Sequence, residues 1–282
     1  MKTIATIGFF DGVHKGHQFL FEHLRSEAAQ RGLSPLIITF DRHPRAVLQP
    51  TFVPQLITSL DERKALLMAY GDVQILPFAT IQHLSAAEFM RRIKTEFGVS
   101  VLLMGYDHRF GSDRLNMPEQ YRRIGEQEGV EVLTLGQYEQ DGRHVSSTQI
   151  RQALEHGDIM QANDLLGRPY ALSGKVVHGK GLGRTIGFPT ANISPADPQK
   201  IIPKAGVYEV EVSGERLAVR GFCNIDKQGI IEVHIPDYTG DLYDRPLQIR
   251  FLRFIREEKQ FGSLDELQQQ IKADIDSIRH PA

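Results

Sequence analysis

The segment Gly8-Phe9-Phe10-Asp11-Gly12-Val13-His14-Lys15-Gly16-His17 decides the fold of the N-terminal half of the chain. It follows a short apolar run at residues 3–7 and leads directly into a helical pattern. The start of a helix offers N–H groups and a partial positive charge, so such a turn suits an anionic ligand. Gly16 lacks the side chain that would keep a phosphate away. The sequence therefore predicts a phosphate-binding turn between a strand and a helix.

Two histidines three residues apart, His14 and His17, belong to this turn. Imidazoles here can donate hydrogen bonds to the oxygens of a reacting phosphate, where charge develops during displacement at phosphorus. From the residues alone, two other interpretations stay open. The pair could be ordinary surface imidazoles or half of a zinc site, although a zinc site usually needs further Cys, His or carboxylate ligands.

The first half of the chain alternates short apolar runs with helical patterns. The runs are at residues 3–7, 36–40, 73–76, 99–104 and 130–135. Their continuous hydrophobicity favours strands covered on both faces, and hence a parallel α/β domain. Capping-box spacing predicts helix starts at Ser59 and Ser85. Helix ends are expected near three glycines, Gly32, Gly71 and Gly98.

The second half follows a different pattern. After candidate helices at residues 147–156 and 158–166, period-two strands appear at 207–212, 231–235 and 247–251. Gly, Pro and Asp clusters separate these strands, as in an antiparallel barrel or sandwich, and a capping box at Ser263 starts a C-terminal helix. We predict a first domain at 1–156, a linker with a helix at 157–168 and a second domain at 169–282.

The composition excludes several classes of protein. The 282 residues include 33 Lys and Arg against 35 Asp and Glu, a formal net charge of −2. This balance gives no bulk attraction to nucleic acid, and no run approaches the ~18 apolar residues of a membrane span. The short apolar N-terminal run does not predict a signal peptide. The single cysteine, Cys223, fits a reducing cytosol, so a cytoplasmic protein is expected, while its oligomeric state stays open.

Four motifs in order resemble the FAD synthetase module of prokaryotic bifunctional riboflavin kinase/FAD synthetases. They are Gly8 to His17 as quoted, Thr39-Phe40-Asp41-Arg42-His43-Pro44, Gly105-Tyr106-Asp107-His108-Arg109-Phe110-Gly111 and Ser146-Ser147-Thr148-Gln149-Ile150-Arg151. The resemblance implies a Rossmann-like nucleotidyltransferase domain that transfers AMP from ATP to FMN. Family members more usually have an aromatic residue where this chain has His108.

The same resemblance implies residue roles. His14 and His17 would be catalytic and hold the α- and β-phosphates of ATP. The remaining ATP-binding positions would be Gly8, Phe9, Phe10, Asp11, Gly12, Gly16, Ser147, Thr148 and Arg151. The flavin-binding positions would be His43, Pro44, Asp107, Arg109 and Phe110. For the Ser146–Thr148 run, simple helix capping is the alternative.

A second glycine-rich stretch follows in the C-terminal half: Gly179-Lys180-Gly181-Leu182-Gly183-Arg184-Thr185-Ile186-Gly187-Phe188-Pro189-Thr190-Ala191-Asn192. On an extended segment, Thr190 and Asn192 point the same way, and their oxygens suit a nucleotide-bound Mg²⁺. Read without other context, the glycines could form an ordinary turn.

This stretch resembles the riboflavin kinase signature, and further segments extend the match. They include Gly206-Val207-Tyr208, Glu232-Val233-His234-Ile235 and Gly240-Asp241-Leu242-Tyr243. The resemblance implies a small barrel with a C-terminal helix. It also implies Glu232 as general base, metal contacts from Thr190 and Asn192, and ATP contacts from Gly179, Gly181, Gly183 and Arg184. On strand alternation alone, a solvated role for Glu232 would be commoner.

Two departures from the kinase pattern concern loops. Family members usually have a longer connection between the positions of Asn224-Ile225 and the catalytic Glu, where this chain has only six residues, Asp226-Lys227-Gln228-Gly229-Ile230-Ile231. Asp244 also replaces a glycine usual after Leu-Tyr. We expect the shorter loop to cover less of a bound flavin.

The resulting hypothesis is a bifunctional Mg²⁺-dependent transferase. It would phosphorylate riboflavin with ATP to FMN and adenylylate FMN with ATP to FAD and pyrophosphate. The alternatives are a monofunctional FAD synthetase with a degenerate, regulatory kinase domain, a flavin-binding regulator without turnover, and another nucleotidyltransferase, such as one acting on pantetheine phosphate. The last leaves the riboflavin kinase-like half unexplained.

Overall fold

The structure is a computed structural model that describes residues 2–106, 108–140, 143–179, 183, 187–215, 217–236, 238–259 and 261–279. The chain divides into two compact units, Met1–Ser147 and Thr148–Ala282. In the described residues, every helix is too short or too polar to cross a membrane. The functional boundaries after residues 156 and 168 stay predictions.

The first unit is built on a five-stranded parallel sheet in the order β3-β2-β1-β4-β5. Its strands are β1 (Thr3–Ile7), β2 (Ser34–Phe40), β3 (Asp72–Leu76), β4 (Val99–Met104) and β5 (Glu131–Thr134), followed by a small hairpin of β6 (Glu139–Gln140) and β7 (Arg143–His144). Its helices are α1 (Lys15–Arg31), α2 (Pro44–Leu48), α3 (Leu60–Leu67), α4 (Ala86–Phe97) and α5 (Pro118–Glu128). The strand order reverses at β1, and ligands bind at the carboxyl ends of strands at such a switch point.

Apolar side chains cover both faces of this sheet. Ile4 and Ile37 belong to one buried cluster with Phe21 of α1. Ala5 belongs to a second buried cluster with Phe89 of α4. The strands are continuously hydrophobic because both of their faces are covered, as expected. The prediction of a parallel α/β domain is confirmed.

The helix starts and ends predicted for the first unit are found in the structure, with one exception. Both capping boxes form at Ser59 and Ser85. Gly32 and Gly98 end α1 and α4 in the left-handed conformation. The prediction that Gly71 ends a helix is wrong, because α3 stops at Leu67. A Cβ at Gly71 would lie 2.8 Å from the Pro35 carbonyl oxygen, so this glycine allows two backbones to approach.

The second unit is a closed six-stranded antiparallel barrel with flanking helices. Its strands are β8 (Tyr170–Val177), β9 (Thr190–Pro195), β10 (Gly206–Gly214), β11 (Leu217–Ile225), β12 (Ile231–His234) and β13 (Pro246–Arg256), in the order β10-β11-β12-β9-β8-β13. Its helices are α6 (Ser147–His156), which begins at the unit boundary, α7 (Ile159–Leu166) and α8 (Leu264–Arg279). Of the two predicted architectures, the barrel is confirmed.

An ion pair joins the C-terminal helix to the barrel. Arg256 of β13 donates from Nε to Asp274 Oδ1 at 3.0 Å and from Nη2 to Oδ2 at 2.7 Å. Both side chains are largely buried. A bidentate pair of this kind fixes the relative orientation of the two side chains as well as the distance between them. This pair therefore holds α8 against β13.

The motif turn, residues 8–14 before α1, has a strained backbone, and the buried side chain of Asp11 holds it in place. Phe10, Gly12 and Val13 have φ values of 54°, 82° and 43°, which are rare for residues with a Cβ and rarest for a β-branched one. The buried Asp11 carboxylate accepts hydrogen bonds from the amides of Ile57 at 3.1 Å and Thr58 at 3.0 Å. Strained backbone persists only where its surroundings over-determine it, and Asp11 provides that constraint.

Substituting Asp11 tests this anchor. We expect Asp11→Ala to lower the stability of the first unit by about 3 kcal/mol, because it leaves buried donors without their acceptor. Native-state hydrogen exchange of β1 and β2 amides measures this unit separately from the barrel. The control is Asp61→Ala, an exposed carboxylate in the first turn of α3, with an expected loss below about 1 kcal/mol. Equal protection in the two variants would contradict the anchor.

Candidate active sites

A cleft of about 320 Å³ opens at the carboxyl end of β1. Seven of the predicted site residues line it together: Gly8, Phe9, Phe10, His14, Gly16, His17 and Ser147. They come from the motif turn, from the start of α1 and from the first residue of α6. The sequence motif and the carboxyl edge of the sheet thus define the same site.

The two histidines form a stacked pair at the start of α1. His14 is the N-cap residue, and its Nδ1 accepts a hydrogen bond from the His17 amide at 3.4 Å. This leaves Nε2 of His14 as the N–H donor of a neutral ring. The two ring centroids are 3.6 Å apart with an interplanar angle of 18°, and Phe10 contacts His17 edge-on at 5.2 Å. The imidazoles are therefore fixed beside the positive end of a helix dipole, as donors to phosphate should be.

Gly8 and Gly16 of the motif are required by packing within the chain, in addition to the room that a glycine leaves for a ligand. A Cβ at Gly16 would lie 3.3 Å from both His14 Nδ1 and the Val145 carbonyl oxygen. A Cβ at Gly8 would lie 2.6 Å from the Phe10 ring. Larger residues would displace His14 or Phe10 from the cleft wall.

Asp11 and Gly12 lie beneath the cleft and are not among its lining residues. The Asp11 carboxylate is engaged with the Ile57–Thr58 segment, and the Gly12 amide donates to Thr58 Oγ1 at 3.0 Å. The Ser147 hydroxyl donates to the Asp11 carbonyl at 2.9 Å, which ties the motif turn to the start of α6. A nucleotide contact by Asp11 or Gly12 stays a prediction.

Thr148 and Arg151 belong to the second compact unit, in the first turns of α6. Thr148 is exposed and Arg151 is half-buried. Their contact with the triphosphate stays a prediction.

The predicted flavin contacts fall in two places. His43 is the N-cap of α2, Pro44 follows as its first residue, and the His43 ring lies edge-on to Phe9 at 4.9 Å. The Phe110 ring packs on Tyr121 at 4.8 Å, toward a buried cluster. Arg109 is exposed and lines a small neighbouring cavity. Asp107 lies outside the described residues, and all these flavin contacts stay predictions.

Several cleft residues were not predicted as site residues: Tyr106, His108, Gln137, Tyr138 and His144. His144 hydrogen-bonds the Gln137 side chain, and Tyr138 packs on Phe19 at 5.2 Å between ring centroids. They follow β4, which pairs with β1, and β5, which pairs with β4, so strand order was the signal that could have identified them.

In the second unit, the register of the barrel strands places several residues of the predicted kinase site on one face of the sheet. Glu232 of β12 pairs with Asn192 of β9 and with Asn224 of β11, and His234 pairs with Thr190. Side chains of directly paired residues project to the same side of a sheet. A cleft of about 260 Å³ on this face is lined by Thr190, Asn224, Glu232 and His234, with Leu267 and Ile271 of α8 on its other side.

A second cavity, of about 330 Å³, meets the first at Thr190, which lines both. Its other walls include Ala191 and the segment from Tyr238 to Tyr243. The Tyr243 ring stacks on the His178 ring, with 4.0 Å between the ring centroids. Two cavities that meet at one hydroxyl residue can hold two reactants on either side of it.

Two described glycines of the glycine-rich stretch, Gly179 and Gly183, pack closely on residues that follow them; Gly179 packs on Asn192, a predicted metal contact. A Cβ at Gly179 would lie 2.1 Å from Asn192 Nδ2, so only glycine leaves room for that amide. A Cβ at Gly183 would lie 2.3 Å from the Phe188 carbonyl oxygen. Gly181 and Arg184 lie outside the described residues, and ATP contacts by this stretch stay predictions.

The short connection before Glu232 is a tight hairpin turn. Asp226 donates from its amide to the Ile230 carbonyl at 3.0 Å, and its Oδ1 accepts from the amides of Gln228 and Ile230 at 2.9 and 2.8 Å. Residues 226–230 are all described, and none of them lines either barrel cavity. The hairpin leads directly into β12, where Glu232 pairs with Asn192 and Asn224.

Two further residues have structural explanations. Asp244 adopts a left-handed φ of 64°, the conformation that favours the family's glycine, and Lys175 beside it lowers the pKa of its carboxyl group. Cys223 is fully buried, and burial raises the pKa of its thiol, with a smaller contribution from Glu232. The thiol therefore stays protonated, which fits a packing role.

Two family models match the chain. The FAD synthetase family matches residues 1–149. The riboflavin kinase family matches residues 166–281. The matched segments fall on the α/β unit and the barrel unit in the order that the motifs predict.

Relatives match across nearly the whole chain. The bifunctional riboflavin kinase/FMN adenylyltransferase of Pseudomonas fluorescens is 38% identical, with 98% of this chain and 92% of the relative covered. The protein of the same name from Escherichia coli K12 is 36% identical, with 96% and 90% covered. A solved Streptococcus pneumoniae structure, described as a macrolide-efflux protein, is 32% identical with a TM-score of 0.91, covers 100% of this chain and 95% of its own, and supports the fold. The chain belongs to the family of bifunctional riboflavin kinase/FMN adenylyltransferases.

Proposed function

We propose that the cleft of the first unit adenylylates FMN and that the paired cavities of the barrel phosphorylate riboflavin, each with its own ATP. The observation that carries this proposal is the presence of two separate sites with different chemistry. One has stacked imidazoles at a helix start, and the other has a carboxylate facing a Thr and an Asn across strands. The expected partners are ATP, riboflavin, FMN and FAD, in the cytoplasm.

In the first unit, a phosphate oxygen of FMN attacks the α-phosphorus of ATP, and pyrophosphate leaves. Negative charge develops on the non-bridging oxygens during this displacement. His14 and His17 donate to those oxygens from fixed positions, so the donors need little reorganisation as the charge builds up. The acceptor side is assigned to His43, whose ring contacts that of the cleft residue Phe9.

In the second unit, the terminal ribityl hydroxyl of riboflavin attacks the γ-phosphorus of ATP, and ADP leaves. Glu232 accepts the hydroxyl proton as general base. The flavin occupies the cleft with Glu232, because its hydroxyl must reach the general base, and ATP occupies the cavity with Tyr243; Thr190 borders both. Phosphoryl transfer then takes place beside Thr190.

Mg²⁺ fits the donor set of the barrel site. The Thr190 hydroxyl and the Asn192 amide oxygen are hard ligands on one face of β9, opposite Glu232. The described residues contain no cluster of three or more His, Cys, Asp or Glu that could hold an ion, which suits a metal bound together with nucleotide phosphates. When bound, Mg²⁺ would offset phosphate charge.

Substitution of the histidine pair tests the first site. We expect His14→Asn and His17→Ala each to reduce FAD formation from FMN by about 100- to 1,000-fold, because each removes a preorganised donor. Asn is chosen at position 14 because it can still cap α1. Riboflavin phosphorylation by the same protein is the internal control and should be unchanged. FAD synthesis at the wild-type rate would remove the pair from the catalytic site.

Substitution of the carboxylate tests the second site. Glu232→Gln should reduce riboflavin phosphorylation by about 100- to 10,000-fold if Glu232 is the general base, while FAD synthesis from supplied FMN continues. Glu211→Gln, on β10 of the same barrel and outside both cavities, is the matched control. A parallel collapse of FAD synthesis in the Glu232 variant would show that the two sites are not independent.

The short hairpin before Glu232 predicts weak flavin binding. Grafting a connection of family length between Ile225 and Ile231 should lower the riboflavin KM about tenfold, since covering ~50 Å² of ring at ~25 cal/mol per Å² contributes about 1.3 kcal/mol. The KM for ATP should change less. A Gly/Ser insert of equal length is the control, and a family loop that performs no better than this insert would contradict the coverage argument.

A further inference from the structure

Arg63 of α3 is a charged side chain in the interior of the first unit. Only 1% of it is exposed, and it is among the largest fully buried side chains of the described chain. Removing a guanidinium from water is costly, and well-packed apolar residues often replace buried charges without loss of stability. Fold stability alone therefore gives a weak reason for an arginine at this position.

The contacts of Arg63 join two motif segments. Its Nη2 donates to the Phe40 carbonyl at 2.6 Å, at the last residue of β2. Its guanidinium carbon lies 4.0 Å from the centroid of the Phe9 ring, a cation–π contact. Phe9 belongs to the motif turn and lines the cleft, whereas Phe40 belongs to the Thr39–Pro44 motif that contains His43.

The same segments also touch each other above Arg63. The Thr39 hydroxyl donates to the Phe9 carbonyl at 3.2 Å, and the Phe9 ring meets the His43 ring edge-on at 4.9 Å. Arg63, Phe9 and His43 thus form a continuous chain of contacts from the interior to the start of α2. A change in the side chain of Arg63 would be transmitted through Phe9 to His43.

We propose that Arg63 is a positioning residue for the FMN acceptor in adenylyl transfer. This inference rests on the function proposed for the first unit. The planar guanidinium fixes Phe9, and through it His43, in the orientation that receives the acceptor. Its positive charge, shielded from water, also favours the approach of a second anion to a site that already holds a triphosphate, because charges interact more strongly in the interior than in water.

Two substitutions in the full-length protein separate these contributions. Arg63→Met keeps the length of the side chain and removes the charge, and Arg63→Lys keeps the charge and removes the planar group. Arg63→Met should raise the FMN KM about 10- to 100-fold, with a smaller change in the ATP KM, because a misplaced reactant is costly. Arg63→Lys should recover part of this loss. Riboflavin phosphorylation, in the other unit, should be unchanged.

Arg91→Met is the matched control, because Arg91 is exposed and pairs with Glu128 on the surface. A folded Arg63→Met protein with wild-type FMN kinetics, or with equal losses for FMN and ATP, overturns the inference. If Arg63→Met does not fold, Arg63→Lys decides: a raised FMN KM with unchanged thermal unfolding supports positioning, and an unchanged KM overturns it. Wild-type protein that forms no FAD from FMN contradicts the proposed function itself.

Discussion

The hydrogen bonds between the Asp11 carboxylate and the Ile57–Thr58 amides are the constraint on which the first cleft depends. They hold a turn with three residues at positive φ, including the β-branched Val13. That turn sets where α1 begins, and the start of α1 sets the stacked pair of His14 and His17. The geometry of the histidine pair is therefore a consequence of a buried anchor that does not line the cleft.

The site of the second unit depends on the register of the barrel strands and not on a single anchoring residue. Barrel closure places Glu232 opposite Asn192 and His234 opposite Thr190. A shift of one residue would turn every one of these side chains to the other face. The tight Asp226 hairpin leads directly into β12 and its paired residues.

Much of this organisation could be predicted from the sequence, because local signals determine it. Continuous apolar runs identified the parallel strands, and the capping boxes at Ser59 and Ser85 identified helix starts. The anchoring role of Asp11 could not be predicted, since its partners are 46 and 47 residues away. Arg63 gave no signal either, because a charged residue in an amphipathic helix is ordinarily expected to face solvent. Gly71 was misassigned because a backbone approach between strands and a helix end both favour glycine.

The central claim, two ATP-dependent sites on one chain, is tested most directly by following two labels of ATP. Wild-type protein is supplied with riboflavin, Mg²⁺ and ATP labelled in either the γ- or the α-phosphate, and the flavins are separated by chromatography. The account predicts γ-label in both FMN and FAD, because the kinase step supplies the inner phosphate, and α-label in FAD but not in FMN. The absence of γ-label from FMN, with α-label entering FAD only when FMN is supplied, would contradict the account and leave the barrel without kinase activity.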